Sequence, residues 1–259
     1  MKPEDSQLSS YLAIKGPLSE STYRAFAGWE LGLSVNANFE RLKESNSVGA
    51  SSAGWLKQFI RVLKRRYDLE GFDRALIELV QQGWHIDDWR PVQLWHMSRN
   101  DDLLRKFLIE WLFEQFRNGI VLVTVDSVLE YVHGMTKKHL GAADVWTPVT
   151  YRRVASGLLK TAAEFHLMSG RVAKEFTAYR LPEKSFVYLL HVLMEREQNT
   201  RRVIEASDWR LFLMMSGEVE EELLRLHQYG KLRFERAGTF LELTLPCRNT
   251  NDYVRSDFT

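Results

Sequence analysis

The sequence predicts a mainly α-helical protein with small β hairpins, in which an N-terminal helical bundle precedes two modules that combine helices with short strands. Two observations support this prediction. Apolar side chains recur three and four residues apart along most of the chain, as they do on one face of a helix. Short runs rich in β-branched residues follow residue 118, next to Gly and Asn-Gly turn signals.

The same patterns divide the chain into four segments. They are a loose N-terminal lead-in (1–19), a helical bundle (20–118) that contains a basic helix (52–66), a winged-helix-like module (119–182), and a second helical, winged-helix-like module (183–259) with a hairpin (231–245). In the bundle, serines are available as N-caps for the first helix, "SESTYRAFAGWEL". Its last helix, "NDDLLRKFLIEWLFEQFRNG", has an Asn/Asp start that suits the helix dipole and an Asn-Gly end.

Residues 119–182 follow the element order of a winged helix-turn-helix module. After the last helix of the bundle come a short strand, "GIVLVT", and Thr124 as the cap of the helix "VDSVLEYVHGMTKKH". A second helix, "TPVTYRRVASGLLKTAAEFHLMSG", precedes "VAKEFTAYRLP", which we expect to return as a strand beside residues 120–123. In this layout the third helix enters the DNA major groove.

The last segment repeats this theme with helices followed by a hairpin. A two-residue connection at Ala237 and Gly238 predicts the cross-strand pairs Arg236 with Thr239, Phe234 with Leu241 and Leu232 with Leu243. This register sets Arg233 against Glu242, which predicts an ion pair rather than a phosphate contact. The preceding helix begins "GEVEEE", and these acids would repel phosphate. We therefore expect this segment to pack or to bind a partner rather than to read DNA.

Charge is segregated along the chain, although the formal net charge is only +1. Residues 51–66 contain five basic side chains and no acid, residues 67–103 contain eight acids against three bases, and residues 148–182 contain six bases against two acids. The neutral balance is therefore poor evidence against nucleic-acid binding, because a local stripe of Lys and Arg side chains is enough to contact phosphates.

Two basic patches follow from helical periodicity. The apolar residues of the basic helix gather on one arc, and the opposite arc holds the first basic patch, which consists of Lys57, Arg61, Lys64 and Arg65. Either acids from elsewhere in the fold neutralise this patch or it binds an external polyanion. The second basic patch lies on the predicted recognition helix and consists of Arg152, Arg153 and Lys160.

Composition excludes several classes of protein. The longest apolar runs fall far below the roughly 20 residues that span a bilayer, and the N-terminus has acids where a signal peptide would be basic and apolar. The single cysteine, Cys247, forms no internal disulfide and is compatible with a reducing compartment. We expect a soluble, cytoplasmic protein.

No residue pattern predicts catalysis or metal binding. The seven histidines are scattered without zinc-ligand spacing, and no phosphate-binding loop or nucleophile motif occurs. Asp87 and Asp88, with His85, and the pair Asp101 and Asp102 are the acid clusters that could suggest Mg²⁺, but helix capping explains them better. His191 and most of the eight tryptophans are predicted core residues, with Trp55 as the exception. We expect no enzyme, no cofactor and no metal.

The arrangement of several segments resembles the BrxA family of the bacteriophage-exclusion (BREX) defence systems. The similarity lies in loose patterns of aromatic, apolar and glycine positions over about residues 20–245, within "WRPVQLWHMSRNDDLLRKFLIEWLFEQF", "VTVDSVLEYV", "YRRVASGLLKTAAEFHLMSG" and "FLMMSGEVEEELLRLHQYGKLRFERAG". The resemblance implies a mostly helical protein with winged-helix-like parts and DNA-binding capacity, acting beside the methyltransferase and other BREX proteins. It supplies no catalytic residues, so the two patches stand on charge alone.

Together these observations predict a non-enzymatic component of an antiphage system that binds duplex DNA. The first basic patch would hold phosphates while the second places a recognition helix against the duplex. Two alternatives remain open. The protein could be an interaction scaffold whose basic helix docks onto an acidic partner, or it could bind RNA.

Overall fold

The computed structural model of the chain describes residues 10–140, 146–238 and 240–256. This part of the chain is mainly helical with two small antiparallel sheets, as the sequence predicts. The helices before residue 118 are α1 (Ser10–Lys15), α2 (Ser19–Ala27), α3 (Val35–Ser45), α4 (Ala53–Arg66), α5 (Ala75–Gln81), α6 (Ile86–Asn100), α7 (Asp102–Lys106) and α8 (Phe113–Arg117). A 3-10 turn at Phe72–Arg74 precedes α5.

The remaining elements alternate between short strands and helices. They are β1 (Leu122–Val123), α9 (Val125–Leu140), α10 (Pro148–Glu164), β2 (Met168–Ser169), β3 (Lys174–Phe176), α11 (Glu183–Glu197), α12 (Thr200–Ile204), a 3-10 helix (Ser207–Phe212), α13 (Ser216–Gln228), β4 (Arg233–Ala237), β5 (Phe240–Thr244) and α14 (Thr250–Arg255).

Short polar side chains fix where many of these helices begin. Each cap residue accepts a hydrogen bond from a backbone N–H of the first turn, which satisfies a donor that the helix itself leaves free. Such bonds run from Ala37 to Ser34, from Trp55 to Ser52, from Leu104 to Asp101, from Ser127 to Thr124 and from Thr150 to Thr147. The predicted cap at Thr124 is thereby confirmed.

The predicted long helix at the end of the bundle is one continuous rod with a change of pitch. A π-helical segment at Phe107–Leu112 joins α7 to α8. Within it, the Phe107 and Trp111 rings stack with centroids 5.6 Å apart. The hydrogen-bond register changes there, which an amphipathic pattern alone does not predict.

Three buried tryptophans anchor the core, and each satisfies its indole N–H. Trp89 donates to the Leu76 carbonyl at 2.9 Å, Trp209 donates to the Val203 carbonyl at 2.7 Å, and Trp95 donates to Asp208 Oδ1 at 2.7 Å. Pairing matters because a buried donor without a partner costs about 1–3 kcal/mol. The prediction that these residues belong to the core is confirmed.

A small three-stranded sheet follows the bundle. Its strand order is β1-β3-β2, and β3 pairs antiparallel with both neighbours. Leu122 lies opposite Glu175, so the returning strand does lie beside the predicted segment. Helices α9 and α10 pack against each other between β1 and β2.

Part of the predicted loose lead-in is helical. Residues Ser10–Lys15 form α1, in which Leu12 and Ala13 are buried. This helix packs on α10 and also contacts α4. A six-residue helix is too short to be stable alone, so its order depends on these tertiary contacts.

The predicted hairpin register is wrong by two residues. Arg236 lies opposite Leu241 instead of Thr239, Phe234 opposite Leu243 instead of Leu241, and Ala237 opposite Phe240. Leu232 precedes β4, so its predicted pair with Leu243 does not form. A shift of two preserves the face of every side chain, because side chains alternate with a period of two. Thr239 itself lies outside the described residues.

None of the helices in the described ranges combines the length and apolar character that crossing a membrane requires.

Candidate nucleic-acid interface

Helix α4 is amphipathic in the manner predicted. Its buried residues are Leu56, Phe59, Ile60, Val62, Leu63 and Arg66. Trp55 is half-buried at the start of the helix and stacks on Phe59, with ring centroids 5.3 Å apart. All four residues of the first basic patch are exposed on the opposite side.

Lys64 and Arg65 of the first basic patch both contact neutral side chains. Lys64 donates to Asn36 Oδ1 at 2.9 Å, and its ammonium lies 5.0 Å from the centre of the Phe39 ring. Arg65 lies over the Tyr11 ring of α1 at 5.3 Å. In residues 10–140, 146–238 and 240–256, no carboxylate forms an ion pair with Lys57, Arg61 or Lys64. The described acids therefore do not neutralise these three charges.

The fifth base of this helix has a structural role. Arg66 is buried, and its guanidinium donates to the carbonyls of Pro17 and Gly16, each at 2.8 Å. These bonds fasten the segment after α1 to the end of α4. A buried guanidinium costs free energy unless its N–H groups are paired. These two hydrogen bonds therefore give Arg66 a structural role.

Helix α10 presents the second basic patch. The helix begins at Pro148 after the Thr147 cap, and Arg152 and Arg153 follow in its second turn. Arg152, Arg153 and Lys160 are all exposed, whereas Val154, Leu158, Leu159 and Ala162 are buried as predicted. The helix therefore turns the predicted residues toward solvent.

The three residues of the second basic patch differ in their surroundings. Arg152 pairs with Asp126 of α9 at 3.1 Å, and both side chains are largely exposed, at 64% and 73%. Such a pair is weak because water screens it. No acid of the described ranges pairs with Arg153 or Lys160. The distribution of Arg and Lys in the sequence gave no sign of Asp126 as a neighbour.

One exposed basic residue of the hairpin that follows α10 was not predicted as a candidate contact. Arg171 is exposed in the turn between β2 and β3, next to Val172, whose side chain is 89% exposed. The hairpin that holds it follows α10 directly. Arg171 was one of the six bases counted in residues 148–182. Only the structure shows that it lies in an exposed turn between two strands.

Helix α1 adjoins both patches. Its Ala13 carbonyl lies so close to Gly157 of α10 that a Cβ at Gly157 would stand 2.1 Å from the carbonyl oxygen. Its Tyr11 ring lies beneath Arg65, and Lys15 lies 5.7 Å from the same ring. The two patches thus border one short helix.

The described surface of the C-terminal module carries both acidic and basic side chains. Arg233 lies opposite Thr244 and pairs with Glu235 of its own strand at 2.7 Å, whereas the predicted register set it against Glu242. The hydrogen bond and the charge of Glu235 raise the pKa of the Arg233 guanidinium. Glu218 and Glu221 are exposed on α13. The expectation that this segment packs or binds a partner rather than DNA stays a prediction.

The acid clusters that could suggest a metal site are parts of helix ends. Asp87 lies in the first turn of α6 and pairs with Arg90 at 2.7 Å. The Asp101 carboxylate caps α7, and burial raises its pKa although its bond from the Leu104 N–H opposes this. In the part of the chain that the structure describes, no three His, Cys, Asp or Glu side chains are grouped as metal ligands.

Two further candidate groups also have ordinary surroundings. His191 is buried in α11, where its Nδ1 contacts the Val187 carbonyl at 2.8 Å and its ring stacks on Tyr253. Burial lowers the pKa of this imidazole, with partial opposition from the Val187 contact. A cavity of about 340 Å³ between α2 and α3 contains Arg41, but Glu30 compensates that charge at 2.6 Å. His191 is thus a core residue, as predicted.

A family model named BrxA matches residues 12–193, which is more than half of the chain and includes both basic patches. A comparison with curated proteins gives no significant match.

Proposed function

The chain belongs to the BrxA family, whose members are BREX-associated proteins, and from this premise we propose that it is a non-enzymatic component of the BREX antiphage system that binds duplex DNA. The family supplies the association with BREX. Binding of DNA and the absence of catalysis are inferred from the residues of this chain.

The observation that supports DNA binding best is the exposure of both basic patches. All seven side chains are exposed. Arg152 pairs with Asp126 at 3.1 Å, and in the described ranges no acid forms an ion pair with Lys57, Arg61, Lys64, Arg153 or Lys160. Unneutralised Lys and Arg side chains on a folded surface attract polyanions, and each phosphate contact releases counterions from the nucleic acid.

The element order around α10 favours a duplex over other polyanions. The sequence of elements α8, β1, α9, α10, β2 and β3, with β1 and β2 on either side of β3, supports the interpretation of this segment as a winged helix-turn-helix. In that layout α10 is the recognition helix, with Arg152 and Arg153 toward its N-terminal end, and the β2–β3 turn with Arg171 is the wing. The proposal adds Arg171 to the contacts with the sugar-phosphate backbone.

The first basic patch then supplies contacts that do not depend on sequence. Lys57, Arg61, Lys64 and Arg65 reach phosphates rather than bases, because they lie on a helix outside the winged-helix order. Together the two patches neutralise about five or six phosphates, which gives a log-log salt slope of about −5.

A salt titration tests this function. Binding of a labelled duplex to the full chain is measured by fluorescence anisotropy between about 50 and 300 mM salt. We expect affinity to fall steeply as salt rises. A flat response or no binding would contradict the proposal and would favour a scaffold role, in which the basic helix docks on an acidic BREX protein. Stronger competition by structured RNA than by duplex DNA would favour RNA as the ligand.

A further inference from the structure

Helix α1 is fixed against α10 by a contact that only glycine permits. The Ala13 carbonyl oxygen would lie 2.1 Å from a Cβ at Gly157, and the Ala13 carbonyl carbon would lie 2.8 Å from it. Both atoms belong to the backbone, so no side-chain rotation relieves the overlap. The backbone of α1 therefore rests directly on the surface of α10.

This contact lies on a face of α10 that also carries two residues of the second basic patch. Arg153 stands four residues before Gly157 and Lys160 three residues after it, so both lie on the same helix face as the glycine. Both are exposed. Helix α1 is consequently bordered by two basic side chains of α10. Arg152 lies on a different face and contacts α9 instead.

The other side of α1 meets the first basic patch. The Tyr11 ring lies 5.3 Å from the Arg65 guanidinium and 5.7 Å from the Lys15 ammonium. Beyond the helix, the carbonyls of Gly16 and Pro17 accept both hydrogen bonds of the buried Arg66. The position of α1 relative to α4 is thus set by a cation–π contact and by two buried hydrogen bonds.

A further bond closes this arrangement after α1. The backbone N–H of Ser19 donates to Glu164 Oε1 at 2.9 Å, where α10 ends. The segment from Ala13 to Ser19 therefore touches α10 twice and α4 once in between. A tether of this kind fixes the distance and the angle between the two helices.

We propose that α1 joins the two basic patches into one continuous phosphate-binding surface, in which Lys15 stands between Arg65 and the pair Arg153 and Lys160, so that a single duplex contacts both patches at once. This inference rests on the proposed DNA binding and specifies the surface that performs it. Lys15 is half-buried and adds a positive charge that the sequence argument did not assign. Simultaneous contact adds the free energies of the two patches without a second association step.

The test displaces α1 and leaves every charge in place. In Gly157→Ala the new Cβ overlaps the Ala13 carbonyl, so α1 must move away. Gly134→Ala is the matched control, since Gly134 also lies within a helix and a Cβ there meets no atom within 4 Å. Hydrogen–deuterium exchange of residues 10–15 reports whether α1 has moved, and anisotropy with the same duplex reports binding.

In Gly157→Ala we expect faster exchange of α1 and at least a tenfold loss of affinity at about 150 mM salt. The log-log salt slope should become shallower, from about −5 to about −3. Gly134→Ala should match the original protein in all three measurements. If the contact with α1 accommodates alanine at position 157, Gly157→Val places a larger side chain there.

Three outcomes would count against the inference. Faster exchange of α1 with unchanged affinity and slope would overturn the continuous surface while leaving DNA binding intact. Unchanged exchange in both Gly157 variants would contradict the packing on which the surface depends. Absence of salt-dependent binding by the original chain would overturn the proposed function itself.

Discussion

Asp208 joins three parts of the chain through one buried carboxylate. It accepts hydrogen bonds from Trp95 Nε1 at 2.7 Å and from Arg196 Nη2 at 2.8 Å, and Arg105 lies 3.3 Å away. Burial alone would raise the pKa of Asp208, but the bond from Arg196 and the charges of Arg105 and Arg196 outweigh it. The pKa of this carboxyl is therefore lowered.

We predict that Asp208→Asn destabilises the protein by about 2–4 kcal/mol, because it leaves Arg105 and Arg196 without their shared acid. The loss stays below the full cost of an unpaired buried charge, since Arg196 is 45% exposed and can turn to water. Urea unfolding measures the change. Asp126→Asn is the control, because its pair with Arg152 is exposed and should contribute less than about 0.5 kcal/mol. Equal losses in both variants would contradict this account.

Arg66 illustrates that a basic residue type does not by itself show whether the side chain is exposed or buried. It ends the same basic run as Lys64 and Arg65, yet it is 2% exposed and holds two backbone carbonyls. Helical periodicity does separate it from the exposed arc, which is why it was not assigned to the first basic patch. Its partners, Gly16 and Pro17, lie about 50 residues away in sequence and could not be predicted from it.

At the scale of elements, α4 and α10 should contribute differently to binding. In the proposed function the first basic patch contacts phosphates, so its loss should weaken binding to all sequences alike, whereas changes in α10 should also affect base preference.

We predict that Arg61→Glu with Lys64→Glu weakens binding to every duplex by a similar factor and makes the salt slope shallower by about 2. Arg152→Glu with Arg153→Glu should weaken binding and also change the ranking of duplexes of different sequence. Anisotropy against a panel of duplexes distinguishes these results.

The control for these variants is Arg202→Glu with Arg248→Glu, which changes the net charge equally at two exposed positions in the C-terminal part of the chain. It should leave the slope unchanged. If both patch variants bound as tightly as the original chain, neither patch would be a DNA contact.

The start of a helix could be predicted from the sequence where a capping residue is present. Ser52, Asp101 and Thr147 accept the first-turn hydrogen bonds that their positions indicate. Two elements lacked such a signal. Helix α1 is too short for its periodicity to be distinctive, and the β4–β5 register depends on a choice between neighbouring two-residue turns, both of which contain Gly238.

At the scale of the whole molecule, buried histidines should link stability to pH. His96 is fully buried between Asp73, at 2.5 Å from Nδ1, and the Tyr188 hydroxyl, at 2.8 Å from Nε2. Burial lowers the pKa of His96, although the hydrogen bond and charge of Asp73 oppose this, while the charge of Arg99 acts in the same direction as burial. Burial also lowers the pKa of His191.

The sign of the pH effect follows from the difference between the pKa of each histidine in the unfolded chain and in the folded chain. The unfolded chain protonates these histidines near their ordinary pKa of 6.5, whereas the folded chain does so at lower pH. We therefore predict that the free energy of unfolding falls as pH drops from about 7 to about 5, by up to about 1.4 kcal/mol per pH unit for each histidine. Urea unfolding at several pH values measures this slope.

His96→Gln should flatten the pH dependence and lower stability at neutral pH, because it disturbs the bonds to Asp73 and Tyr188. A slope that is the same in the original chain and in His96→Gln would assign the pH dependence to other groups.

The sequence by itself determined the helical class, most helix positions, the buried side of α4 and α10, and the segregation of charge, because each depends on the period of side chains along a local element. The loose patterns that resemble BrxA were likewise present in the sequence, and the family match over residues 12–193 confirms the resemblance for that part of the chain. Only the tertiary structure decided the order of α1, the pairing of Arg152 with Asp126, the hairpin register and the contact of α1 with both α4 and α10. These depend on contacts between residues far apart in the chain, such as Ala13 with Gly157 and Arg66 with Pro17, whose geometry has no local signature.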